Sequence, residues 1–128
     1  MGIAAALRRA ARAVVGRPIE LPPTLVERYP ELRNARWRAG GLPPRIGGWC
    51  LGQASVSAIT LWRTIWLAYP PRASAELLLH EIRHVAQFEA DPTFAVRYLW
   101  ESVRRGYHGN RYEVDAREYA AARVTSER

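Results

Sequence analysis

Apolar and polar positions alternate along this chain in two distinct rhythms, helical at both ends and strand-like in the middle. Ile3, Leu7, Val14 and Val15 fall on one side of a 3.6-residue period and Arg8, Arg9 and Arg12 on the other, which predicts a short amphipathic helix ended by Gly16 and Pro18. The helix is small and Ala-rich, so packing on the domain is expected in preference to a membrane-surface role. The proline-rich stretch from Pro18 to Pro30 reads as an arm laid over the core, with Pro22-Pro23-Thr24 as a helix start and one or two turns over Leu25 to Tyr29.

From Ala35 to Leu67 the chain turns to short runs of Trp, Ile, Val and Thr, separated by Gly40-Gly41, Pro43-Pro44 and Gly47-Gly48. Strands are predicted near Arg36 to Arg38, Gly48 to Leu51, Val56 to Leu61 and Thr64 to Leu67. Ile59, Leu61, Ile65 and Leu67 share one parity and Thr60, Trp62, Thr64 and Trp66 the other, so both faces of the last two strands should be partly covered. After Tyr69-Pro70-Pro71 everything reads as helix. Ser74 caps a helix to about Glu89 with Leu78, Ile82 and Val85 inward. Asp91-Pro92 opens a second helix, ended by Gly106, and a third runs from Asn110 towards Val124.

This order predicts an α+β fold, a small twisted and mainly antiparallel sheet packed on a C-terminal set of three helices. A chain of 128 residues is the length of one domain. Residues 1–34 form the N-terminal helix and arm, 35–68 the sheet and 72–128 the helices. The single Cys50 rules out an internal disulfide and reads as a small buried apolar residue. No apolar run approaches the roughly 20 residues that cross a bilayer. The arginines break the apolar core a signal peptide needs, and Ala6 stands where a myristoylation signal has Ser or Thr. A cytoplasmic location is the expectation, with non-standard export left open. The formal charge is +7, carried entirely by arginine with no lysine. These arginines are scattered from Arg8 to Arg128, so a solvated surface is favoured over nucleic-acid binding.

The pattern that changes the picture is His80-Glu81-Ile82-Arg83-His84. Positions four apart lie ~40° apart around a helix and ~6 Å along it, so both imidazoles can face one metal ion. Glu81 sits on the rim of that face, placed to take a proton from water. Leu77-Leu78-Leu79 before the pair and Val85 after it predict a buried helix, where unpaired imidazoles and a carboxylate are costly. Two histidines need a third protein ligand to hold zinc well. Glu113, opening the third helix, is the best placed and His108 the alternative. Ala116 and Ala120, one and two turns beyond Glu113, would let the two helices approach closely. Asn110-Arg111-Tyr112-Glu113 also has the spacing of a capping box, which would turn the same carboxylate back to the Asn110 amide. Tyr107, His108 and Tyr112 are the candidate donors to a developing oxyanion.

These residues resemble the gluzincin branch of zincin metallopeptidases. Ala58-Ile59-Thr60-Leu61, Ile65 and Leu78 to Gln87 are similar, more narrowly, to a bacterial zincin-like domain that often accompanies toxin or secretion modules. The resemblance covers about residues 56 to 88 and the region of Glu113. It implies Zn2+ held by His80, His84 and Glu113, Glu81 as general base, and a peptide or protein substrate paired on the strand before the metal helix. It leaves two alternatives, a weakly active or inactive zinc-binding interaction module and a DNA-associated protease. The chain departs from the family at two points: Trp62 replaces a glycine usual between the two strands, and Arg117 stands where many gluzincins place an acidic residue that orients the first histidine.

Overall fold

The computed structural model describes residues 2–44, 57–71 and 74–126. In chain order the elements are α1 (Ile3–Val15), β1 (Arg17–Pro18), α2 (Pro23–Arg28), a 3-10 turn (Pro30–Asn34), β2 (Arg36–Ala39), β3 (Ala58–Leu61), β4 (Thr64–Leu67), α3 (Ala75–Ala90), α4 (Phe94–Gly109) and α5 (Arg111–Ser126). The expected strand from Gly48 to Leu51, with Cys50, lies outside the described residues. The architecture is α+β, with a four-stranded sheet ordered β1-β2-β4-β3. Its outer pairings are antiparallel, but β2 and β4 run parallel at the centre. The long connection from β2 back to β4 is what a parallel neighbour requires.

Register corrects the parity reading. Thr60 pairs with Ile65 and Ile59 with Trp66, so odd positions on β3 share a face with even positions on β4. The inner face therefore carries Thr60, Ile65 and Leu67, all buried, while Leu61 is exposed. Trp62 turns the hairpin at φ 54, in the left-handed region. Glycine adopts that conformation freely, whereas a side chain there costs about 1 kcal/mol. Its ring rests on Phe88 with centroids 5.7 Å apart.

Helix α3 is capped as expected, the Leu77 amide donating to Ser74 Oγ at 3.2 Å. Leu78, Leu79, Ile82 and Val85 bury its inner face against Ile65 and Leu67 of the sheet and Tyr29, Leu32 and Trp37 of the arm and β2. Ala116 and Ala120 of α5 are fully buried, so the helix axis can come close to its neighbours. Asp91 takes the Thr93 amide and hydroxyl in a short turn, and α4 begins at Phe94. Gly106, at φ 73 and ψ 170, breaks the regular helix where an end is expected, and one further turn follows to Gly109.

The arm does lie over the core, with Tyr29 and Leu32 buried and the Trp37 indole donating to the Leu32 carbonyl at 2.8 Å. Helix α1 does not pack on the domain. None of its residues is buried, and Ile3 and Leu7 are 81% and 64% exposed. Its alanines supply little apolar area to hold it down. Its C-terminal end is tied down, where the Val15 carbonyl accepts from Arg38 Nε at 2.7 Å and Trp66 Nε1 at 2.8 Å. The chain turns away there at Gly16, φ +68, where a Cβ would stand 2.5 Å from the Ala39 carbonyl oxygen.

Glu31 in the arm accepts from Arg123 Nε at 2.7 Å and from the Tyr119 hydroxyl at 3.2 Å, tying the arm to α5. Burial raises its pKa, but the hydrogen bonds and charge of Arg123 outweigh this and hold the carboxyl below the ordinary glutamate range. A group depressed on folding stabilises the protein above its unfolded pKa and stops doing so as pH falls through the folded one. Glu31→Gln is therefore expected to cost about 1 kcal/mol at pH 7. That difference from wild type should shrink steadily in urea titrations below about pH 4.5.

Candidate metal centre

Helix α3 sets His80 and His84 on one side and α5 brings a single carboxylate to both. Glu113 Oε2 lies 2.9 Å from His80 Nε2, and Oε1 lies 2.9 Å from His84 Nε2. Glu113 and His84 are buried, and His80 keeps 14% of its side chain exposed. The capping alternative is resolved by Asn110, which is fully buried and caps α5 itself. Its Oδ1 accepts from the Tyr112 amide at 2.9 Å while its Nδ2 donates to the Tyr98 carbonyl and Ser102 Oγ. Glu113 is left to face the histidines.

Gln87 fixes the orientation of His84. Its Nε2 donates to the Tyr112 carbonyl at 3.0 Å and to Asp115 Oδ2 at 2.9 Å, two groups that only accept. The amide oxygen is thereby turned to His84 Nδ1, 2.7 Å away, which must carry its proton to donate. The lone pair or second proton belongs to Nε2, the atom that faces Glu113. Arg83 completes the chain by donating to Asp115 at 2.8 Å. Asp115 thus acts through Gln87 on His84, the second histidine. Arg117 instead donates to the His108 carbonyl at 2.6 Å.

Burial would lower the His84 pKa, but the Glu113 hydrogen bond and the Glu81 charge reverse this and lift it to about 9. Burial likewise works against ionised Glu113, yet the hydrogen bonds of His80 and His84 outweigh it and hold the carboxyl far below the usual carboxylate range. Glu81 is buried as well, and Thr60 Oγ1 on β3 donates to its Oε2 at 2.7 Å. Donor atoms of His80, Glu81 and His84 all lie within 4.8 Å of one another. Of the two carboxylates, Glu113 touches both imidazoles while Glu81 is held by Thr60.

The donor set, two imidazoles and a carboxylate, is one that catalytic zinc uses. Bonds of about 2.0–2.2 Å in a tetrahedral site put neighbouring donors roughly 3.3 Å apart. The 2.9 Å contacts are a few tenths shorter, so a small spreading of side chains accommodates the ion. The residues fit it.

The other candidates are placed differently. Tyr107 is half-buried, and burial together with the Glu113 carboxylate, which accepts its hydrogen bond, pushes its hydroxyl pKa well up. Tyr112 is turned to Phe94 and accepts at its hydroxyl from Arg111 at 2.8 Å, so only its carbonyl serves the site. His108 is exposed, edge-on to Tyr107, and is not brought to Glu113. Tyr98, Thr60, Gln87 and Asp115 were not foreseen. The Tyr98 hydroxyl donates to Glu113 Oε1 at 2.9 Å, and burial, ahead of the Glu113 charge, drives its pKa far up. Its four-residue spacing from Phe94 was the available signal, since both lie on the inward side of α4. β4, the strand directly before α3, has partners on both sides; among the described strands β3 and β1 are the edges. Comparison with protein-family models, with curated proteins and with solved structures found no match.

Thr60→Val keeps the shape of the residue but leaves the buried Glu81 carboxylate without its donor. A loss of about 1–3 kcal/mol is expected. Thermal unfolding of Thr60→Val beside Thr60→Ser, which keeps the hydroxyl and should unfold near wild type, checks this.

Proposed function

We propose that this protein is a zinc-dependent metallopeptidase of gluzincin type, hydrolysing peptide bonds. The observation that carries the reading is the single Glu113 carboxylate reaching both Nε2 atoms of the HExxH histidines, with a second carboxylate, Glu81, held apart by Thr60. His80, His84 and Glu113 would hold the metal. Zinc bound there supplies a Lewis acid that acidifies water and polarises a carbonyl oxygen.

Glu81 takes the proton of the attacking water at its carboxylate and passes it to the leaving amine. Thr60 keeps that carboxylate oriented from the sheet side. Tyr98 and Tyr107, whose raised pKa values keep both hydroxyls protonated, are the donors available to an oxyanion beside Glu113. An extended substrate would add to β3, whose outward side presents Ile59 and Leu61, and would pass the Glu81 carboxylate that Thr60 of the same strand holds.

One observation favours a second reading, a zinc-holding interaction module without turnover. Both hydroxyls that could serve an oxyanion, those of Tyr98 and Tyr107, are already engaged by Glu113. Elemental analysis after dialysis against zinc is expected to give about one ion per chain in wild type and Glu81→Gln, and little in His84→Ala. Hydrolysis of an unfolded protein substrate should fall at least a hundredfold in Glu81→Gln. A folded wild type that takes up no zinc sinks both readings. Bound zinc without cleavage of a broad peptide library leaves the second.

A further inference from the structure

Two helices expose their most apolar sides. On α1, Ile3, Leu7 and Val14 fall within ~40° of one another around the axis and Arg8, Arg9 and Arg12 occupy the opposite side. The helix carries no acidic residue and buries none of its side chains. On α4, Val96, Leu99, Trp100 and Val103 form a stripe ~100° wide, each between 63% and 82% exposed. Arg97, paired with Asp91 at 3.2 Å, and Arg104 border that stripe on one side, and they line a hollow with Trp100, Glu101, Arg105 and Arg111. The only acid on α4, Glu101, is buried, with Arg105 and Arg111 each 3.6 Å from its carboxylate. The polar surface of both helices is therefore basic alone.

Helices like α1, apolar on one side and arginine-rich on the other, lie in the headgroup region of bilayers, and an exposed tryptophan such as Trp100 favours the boundary. A nucleic acid would engage the arginines and leave both apolar stripes in water. A second copy of this chain would bring like charges together, since the whole carries +7. Thirteen residues are moreover few for a stable helix in water without tertiary burial, and none of the residues of α1 is buried. A surface that takes up Ile3, Leu7 and Val14 supplies what the fold does not.

We infer that α1 docks the protein on an anionic bilayer, its apolar side in the acyl boundary and its arginines at the phosphates, and that the α4 stripe makes a second such contact. The inference does not depend on the metal centre. Each arginine near an anionic surface strengthens binding roughly fivefold, and the apolar residues add to this.

Co-sedimentation of the intact protein with phosphatidylcholine vesicles containing ~30% phosphatidylserine, at low and at 0.5 M salt, tests it. Strong binding to these vesicles is expected, weak binding to pure phosphatidylcholine, and release by salt. Leu7→Glu should weaken binding by about tenfold or more, and Val103→Glu likewise. Both side chains are mostly exposed, so neither change threatens the fold, and circular dichroism checks this. No binding to anionic vesicles overturns the inference, as does binding indifferent to lipid charge. Binding unchanged in Leu7→Glu removes α1 from the contact, and binding unchanged in Val103→Glu removes α4.

Discussion

The bond on which the rest depends is the one from Glu113 to both imidazoles. It crosses from α5 to α3 inside the protein, where neither helix offers water to its charged groups. A buried carboxylate alone would be expensive, and so would an imidazolium. Together they neutralise each other, and the opposite shifts of Glu113 and His84 are two views of that one interaction. The close approach it requires explains why α5 carries Ala116 and Ala120 on its buried side, where a larger side chain would force the helices apart.

Around that bond the supporting groups come from every layer. Thr60 reaches in from the sheet, Tyr98 from α4, and Gln87 with Asp115 join α3 to α5 a second time. Asn110, fully buried at the start of α5, ties that helix end to the α4 backbone and so fixes where Glu113 emerges. A cluster held this way from four elements loses little entropy when an ion or a substrate arrives, because the ordering has occurred on folding.

Much of this was readable from local sequence. HExxH carries its own geometry, since four residues on a helix always bring two side chains to one side. Helix ends at Ser74, Gly106 and Asn110 follow from capping and backbone chemistry, which act over a few residues, whereas the helix expected to open at Asp91-Pro92 begins at Phe94 after Thr93. What was not readable depends on long-range register. Thr60 meets Glu81 only because β3 pairs with β4 in a register that turns even positions of β3 inward. The acidic residue expected to orient the first histidine is replaced by Arg117, and the link that is present, Asp115 by way of Gln87, serves His84 and is visible only once α3 and α5 are side by side. His108 lies next to Tyr107 in sequence yet points away, because Gly106 breaks α4 and rotates the last turn.

The same comparison explains why helical periodicity misjudged α1 and leaves α4 unsettled. A period of 3.6 says which residues share a side of a helix; it does not say whether that side meets protein, water or lipid. On α3 the apolar side meets the core, and the helix there is indispensable. On α4 the buried side is the polar one, with Tyr98, Glu101 and the Asn110 contacts, while the stronger apolar stripe faces out. Tyr98 is buried with a hydrogen bond to Glu113, whereas Glu101 has the charges of Arg105 and Arg111 at 3.6 Å but no hydrogen bond to its buried Oε1. That choice fixes the rotation of α4: the side able to reach Glu113 must face inward, and the geometry of the helix then turns Val96, Leu99, Trp100 and Val103 outward.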